Sequence, residues 1–355
     1  MPELPDLAYV AGELSRVLVG RRIVGARTGD PTVLRMMLPG SFADALGGRT
    51  LMAVERVGHF LRFSFDGDRV AIVNAMLVGK YRLLAAEDAR RTRDPVAMGF
   101  AMTFEDGTEL RYLDDKRMGK VYVAAAADAA SIPVFGSLGV DVMSPALDRA
   151  RFGALVRRRR DQVRMFLMDK SALASIGNAY ADEILFAAGI HPKTMVRKLK
   201  EPEVDRLYAA IRQVLGDAIV EIARRHPPID VKVRYFLAVR GRDGQACPRC
   251  GTTIRAVRVG DGDACFCPSC QPATRNLFVD WSRLPAGGAL RGAPPTSEAA
   301  PEPAGQAQQG GEADAPEEDA PEAAAPARGG PTRRALTAAA PAAGGRARSR
   351  RRSPR

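Results

Sequence analysis

Four of the chain's five cysteines stand as two Cys-x2-Cys pairs, Cys247 with Cys250 and Cys267 with Cys270, and sixteen residues separate the pairs. Two such knuckles brought together by one short hairpin make the tetrahedral four-sulfur shell that zinc takes in structural sites. A redox motif or chance clustering is the alternative. The pattern predicts one structural zinc ion on Cys247, Cys250, Cys267 and Cys270, with no open position for an activated water. Cys265, two residues before a ligand, is expected to pack in the ribbon as a bystander. All five cysteines lie between positions 247 and 270, which suits a metal site in a reducing compartment better than a disulfide framework.

Ahead of the ribbon, the hydrophobic period changes once. Residues 5–19 place Leu7, Val10, Leu14, Val17 and Leu18 at helical spacing, as an amphipathic helix requires. Short alternating or β-branched runs follow at 22–26, 50–57, 60–65, 70–74, 81–85, 100–104, 109–113 and 120–124, with turn signals at Asp66-Gly67 and Asp106-Gly107. These read as an antiparallel β-sandwich or barrel capped by the first helix, the sandwich being preferred. From about residue 133 the pattern becomes helical, with helices expected over 152–169, 171–188 and 204–225 and a break at Gly189-Ile190-His191-Pro192. The expected fold is therefore α+β. Its divisions are a β-sandwich domain over 1–130, a helical domain over 131–236, a zinc finger over 237–282 and a charged tail over 283–355.

In that tail, residues 298–322 carry only acidic charges and 328–355 only basic ones, with few large apolar residues. Such a composition predicts disorder. Its arginine end offers sequence-independent DNA affinity, and a solubilising extension without a specific role is the alternative. Over the whole chain the net charge is +12 and the pI about 9.9, which favours a polyanionic partner, nucleic acid ahead of anionic membrane. No run of some 18 apolar residues and no signal-peptide pattern is present, so a soluble, intracellular protein is expected.

Three stretches carry chemistry. In Met1-Pro2-Glu3-Leu4-Pro5-Asp6, removal of Met1 would leave a secondary amine beside a carboxyl group. An α-amino group titrates near ~7.7–8.0, well below a lysine at ~10.4, so a neutral fraction exists at pH 7 that can form a Schiff base. In Asn74-Ala75-Met76-Leu77-Val78-Gly79-Lys80 and Asp114-Asp115-Lys116-Arg117-Met118-Gly119-Lys120, apolar tips sit among cations. That combination pushes between stacked bases while holding phosphates, and a solvated strand end is the alternative. Around Gly177-Asn178 a turn precedes a helical run, and a helix N-terminus there can donate to a phosphate.

Taken together, the chain resembles the Fpg/Nei family of DNA glycosylases, bifunctional enzymes that excise oxidised bases. Pro2-Glu3-Leu4-Pro5, the stretch Ile176-Gly177-Asn178-Ala179-Tyr180-Ala181-Asp182-Glu183-Ile184-Leu185, Val239-Arg240-Gly241-Arg242-Asp243-Gly244 and the finger with Cys250-Gly251 carry the resemblance, over about residues 1–282. It implies that the helical domain is a helix-two-turn-helix, that Pro2 attacks C1′ of a flipped nucleotide and that Glu3 assists by proton transfer. Asn178 and Arg164, the latter where lysine is usual, would grip the phosphates. The implied partner is double-stranded DNA with a damaged base or an abasic site, bound by a monomer in the cytoplasm, with no membrane role. The rivals are a non-catalytic DNA-binding descendant and an RNA-binding zinc-ribbon protein. The second lacks stacking aromatics on an exposed sheet.

Departures from the family pattern qualify these expectations. His59 in Gly58-His59-Phe60 replaces a strand lysine counted with the catalytic group, which makes that position mostly neutral at pH 7. Asp6 stands where glutamate is usual among the DNA contacts. Leu77, Lys116 and Met118 take the places of a void-filling Met, Arg and Phe. The finger's DNA-contacting arginine aligns with Gly262, leaving Arg255 or Arg258 to compensate. Between the last helix and the finger lie only residues 226–234, without the glycine-rich stretch that covers 8-oxoguanine in typical formamidopyrimidine enzymes.

Overall fold

In the computed structural model, which describes residues 2–93 and 97–273, the first half becomes two sheets sharing one core with the first helix. Helix α1 (Leu4–Leu18) buries Leu7, Val10, Leu14 and Leu18 on one face. The strands are β1 (Ile23–Thr28), β2 (Leu34–Met36), β3 (Leu51–Val57), β4 (Phe60–Phe65), β5 (Arg69–Asn74), β6 (Lys80–Leu84), β7 (Met98–Phe104), β8 (Glu109–Leu113) and β9 (Lys120–Ala125), with short helices α2 (Phe42–Leu46) and α3 (Ala86–Arg91) between them. One sheet runs β2-β9-β5-β4-β3 and the other β1-β7-β8-β6. Phe63 and Val73 from the first meet Phe100, Met102 and Tyr112 from the second in one cluster with α1. Each such side chain contributes about 1.5–3 kcal/mol on burial. The two Asp-Gly pairs sit in the β4–β5 and β7–β8 turns, with Gly67 and Gly107 at positive φ.

The helical half contains α4 (Arg149–Arg157), α5 (Val163–Met168), α6 (Asn178–Ala188) and α7 (Glu201–Arg225). The helix expected over 152–169 is thus two helices. Residues 157–161 are all charged and offer no apolar face, and Arg159 there ion-pairs with Asp161 and Asp169. The helix expected over 171–188 begins only at Asn178. Ahead of it β11 (Leu173–Ala174) pairs in parallel with β10 (Val140–Asp141), and Ser175 takes a positive φ of 97°. The finger contributes an antiparallel hairpin, β12 (Arg255–Val259) and β13 (Gly262–Phe266).

The seam between the halves runs through the first turn of α1. Leu4 is buried in the helical core with Phe166, Tyr180 and Leu207, whereas Leu7, one turn later, belongs to the sandwich core. The ribbon packs its Cys247, Ile254 and Cys265 against Phe186 of α6. Met1 and the charged tail from residue 283 onward, with the disorder expected of it, lie outside the described residues.

Candidate active site

Pro2 and Glu3 are buried where α1 meets α6. The Glu3 carboxylate reaches across the seam and accepts hydrogen bonds from the backbone amides of Ala179 (3.0 Å) and Tyr180 (3.2 Å) in the first turn of α6. Those amides have no partner within the helix, and the helix dipole favours an anion beside them. Gly177 is required for the approach: a Cβ there would lie 2.7 Å from Glu3 Cγ and Oε2. Burial nonetheless raises the Glu3 pKa, outweighing the two amides and Arg234, which lower it, and Asp6 adds to the rise. The site therefore holds a carboxyl group biased toward its protonated form beside the residue that would carry the amine.

Asp6, expected among the DNA contacts, uses its carboxylate internally. It accepts from the Glu3 amide (2.8 Å) and from both terminal nitrogens of Arg234, one at 2.7 Å. Arg164, expected on a phosphate, is fully buried. Its Nε donates to Asp182 Oδ1 (2.8 Å) and its Nη2 to Asn178 Oδ1 (2.8 Å) and the Asp263 carbonyl (3.1 Å). Asn178 itself is exposed, and its side-chain oxygen is the one Arg164 holds. Gly262 faces this pair: a Cβ on it would lie 3.5 Å from Asn178 Oδ1 and 3.8 Å from Arg164 Nη1. A cavity of about 170 Å³ opens between Asn178, Gly262 and Met165. Arg255 and Arg258 are exposed on β12, and Arg258 pairs with Asp263 at 3.8 Å.

His59 occupies the two-residue turn between β3 and β4 and is buried. Gly58 makes that turn possible, with φ +60° and Leu138 Cδ1 2.7 Å from where a Cβ would be. Burial and then the charge of Lys170 push the His59 pKa down to about 3, so the ring is neutral at every physiological pH and supplies no cation to DNA. Lys170 is half-buried within electrostatic range of both His59 and Glu3. The two expected wedge loops come together on Tyr112, because Gly79 and Gly119 both abut its hydroxyl. From them Leu77 (51% exposed) and Met118 (39%) project into solvent, with Lys116 exposed beside Met118.

Comparison with known proteins places most of the described chain among three family domains. Residues 1–121 match the formamidopyrimidine-DNA glycosylase N-terminal domain, 138–225 its H2TH domain, and 244–273 the zinc finger found in that enzyme and in isoleucyl-tRNA synthetase. The formamidopyrimidine-DNA glycosylase of Salinispora arenicola is 35% identical over 290 residues, covering 78% of this chain and 99% of that protein. The chain belongs to the formamidopyrimidine-DNA glycosylase family. The Moorella thermoacetica enzyme is 33% identical, covering 73% of this chain and 95% of its own length. Among solved structures, Lactococcus lactis Fpg in complex with DNA containing an abasic site superposes with a TM-score of 0.68 at 27% identity, covering 77% of this chain and all of that one. The activity is accordingly that of a base-excision-repair glycosylase and abasic-site lyase.

The glycosylase carries a structural zinc site. Cys247, Cys250, Cys267 and Cys270 present their sulfurs within 4.8 Å of one another, with separations of 3.4, 3.5 and 3.9 Å. A tetrahedron of thiolates about 2.3 Å from zinc has edges of about 3.8 Å, so the donor set fits. Cys265 is outside the cluster, buried in the ribbon, with its amide donating to Asp182 Oδ2 (3.0 Å). Purified glycosylase is expected to contain one zinc per chain. Cys247→Ser should lose it and Cys265→Ser keep it, as metal analysis of the two variants would show. The opposite result would exchange the ligand and the bystander.

Sequence reasoning missed the residues that hold the glycosylase site in place. Asp182 joins Arg164, Arg240 Nη1 (2.9 Å) and the Cys265 amide, while Glu183 accepts from the amides of Ala238, Val239 and Arg240 at 2.8–2.9 Å. Arg56 likewise ties the His59 turn to the helical half, through the Gly58 carbonyl and Ser175 Oγ (3.0 Å each) and Asp141 (2.7 Å). The available signal was the acidic pair Asp182-Glu183 within an otherwise apolar helix, because buried carboxylates demand partners.

Proposed function

We propose that the α-amine of Pro2, freed by removal of Met1, is the nucleophile and that Glu3 is its proton donor. The amine nitrogen attacks C1′ of an everted nucleotide and the glycosidic bond breaks. The base departs, and proton transfer from Glu3 opens the sugar ring to leave an imine on C1′. Loss of a C2′ proton then expels the 3′ phosphate, with or without the 5′ phosphate after it. Eversion is needed because a stacked base shields C1′ from an amine of this size. Asn178 holds a phosphate next to the everted sugar, with Arg164 acting behind it to orient its amide, and Leu77, Lys116 and Met118 fill the gap left in the duplex. The carrying observation is the Glu3 carboxyl, buried beside Pro2 and gripped by the first turn of α6. A monomer acting on double-stranded DNA in the cytoplasm of a bacterium fits this reading, since the relatives are bacterial enzymes. Among the described residues no helix is long and apolar enough to cross a membrane.

Borohydride tests it. Added during reaction with an abasic duplex, it should reduce the imine and leave protein covalently joined to DNA through the first residue. Protein with residues added ahead of Pro2 should not be trapped, because its nitrogen is then an amide. Lys80 lines the same small cavity as Pro2, so an adduct mapping to Lys80, or undiminished trapping by extended protein, would move the nucleophile there.

A further inference from the structure

Lys170 is a cation without a counterion beside the reaction centre. It stands in the short connection between α5 and β11, where its carbonyl accepts from the Gly139 amide (2.8 Å). Leu138, the residue before Gly139, packs over the Gly58 turn that carries His59. Ser175, just past β11, is tied to the same turn by Arg56, and Gly177 two positions later abuts Glu3. The connection is thereby held close to both His59 and Glu3.

The carboxylates around it are already engaged. Asp169 accepts from the Ser171 amide (2.9 Å) and hydroxyl (2.6 Å) with Oδ1 and from Arg159 (2.6 Å) with Oδ2, and Asp141 pairs with Arg56 (2.7 Å). Glu3 gives its oxygens to the first turn of α6. Among the described residues the Lys170 ammonium therefore has no ion pair and no hydrogen bond. The side chain is nonetheless half-buried, and burial lowers its pKa, with Glu3 acting against the fall. Its nitrogen is not sealed from solvent. A partly desolvated ammonium is costly unless an anion meets it.

We propose that Lys170 binds a DNA phosphate, one of the two flanking the everted nucleotide, and that its ammonium stays bare until that nucleotide leaves the stack. The inference rests on Pro2 and Glu3 as the reaction centre and adds a DNA contact to it. An everted sugar whose C1′ lies against Pro2 carries its own phosphates to the walls of the same site, where Lys170 supplies the charge that neutral His59 does not. Undamaged DNA, with every nucleotide stacked, does not bring a phosphate to a half-buried ammonium. Part of the desolvation is already borne by the free protein, so the contact is preorganised.

Salt dependence reads such a contact directly, because each phosphate held adds about 0.9 to the slope of log affinity against log salt. Binding is measured between about 50 and about 200 mM salt, where one contact is worth about 3.5-fold. One duplex carries a reduced abasic site, which no amine can attack, and the other has the same sequence undamaged. On the abasic duplex Lys170→Met should lose about 3.5-fold less affinity than the wild type as salt rises. On the undamaged duplex the two proteins should weaken alike. Lys170→Arg keeps the charge and should follow the wild type on both. Equal slopes for the wild type and Lys170→Met on the abasic duplex would overturn the contact. An equal change on both duplexes would overturn its restriction to the everted nucleotide, and an arginine variant that behaves as methionine would overturn the role of charge. If Lys170→Met shows no cooperative melting transition, Lys170→Gln is read in the same way. A reduced sugar forms no imine, so these slopes do not depend on the nucleophile, whereas failure of borohydride trapping in the wild type would count against Pro2 alone.

Discussion

Glu3→Gln is expected to slow release of a damaged base by about 10²–10⁴-fold, the usual worth of a positioned acid or base. Cleavage at a preformed abasic site should fall much less, since an opened sugar needs less help from an acid. Glutamine can still accept a hydrogen bond from the first turn of α6, so the variant separates proton transfer from position. The pH profile adds a second readout. Burial raises the Glu3 pKa, and excision uses the protonated form. Wild-type excision should therefore decline as pH rises through that raised pKa, and the variant should lack this limb. Equal losses in both reactions, with an unchanged melting temperature, would mean that Glu3 acts on the imine rather than on departure of the base.

Asp182→Ala should be among the most damaging single changes to stability. Asp182 is buried and receives Arg164, Arg240 and the Cys265 amide. Its removal strands a fully buried guanidinium, at a cost of about 3–5 kcal/mol, or a fall in Tm on the order of 10 °C for a unit of this size. Adding Arg164→Met should recover part of the loss, because an apolar side chain of similar length leaves no buried charge. Denaturant titration of both variants measures this, and a single-variant loss under about 1 kcal/mol would show that the network contributes little.

What was legible in the sequence is what short-range spacing can encode. The zinc ligands lie three positions apart in each pair, and the sandwich strands and the two Asp-Gly turns follow local alternation; all of these stand in the structure. The interruption between Arg157 and Val163 was misread because a run of charges does not disturb a helical count of the apolar residues around it. Contacts between distant residues were not legible. Glu3 and Ala179 are 176 positions apart, and nothing in the six N-terminal residues says what their carboxylates face. Asp6 and Arg164 were assigned outward by resemblance, yet each is matched to an internal opposite charge that no local pattern reveals.

The group that would give up a proton is also the one that fastens the first turn of α1 to the first turn of α6. Alignment of the two halves and delivery of the acid are consequently a single degree of freedom. A substitution anywhere along the seam that tilts the helical half will drag Glu3 away from the sugar, and its effect will surface in turnover even where DNA affinity is untouched. A map of inactivating substitutions should thus trace the whole seam rather than a small patch around Pro2, and distance from the amine will be a poor guide to which positions tolerate change.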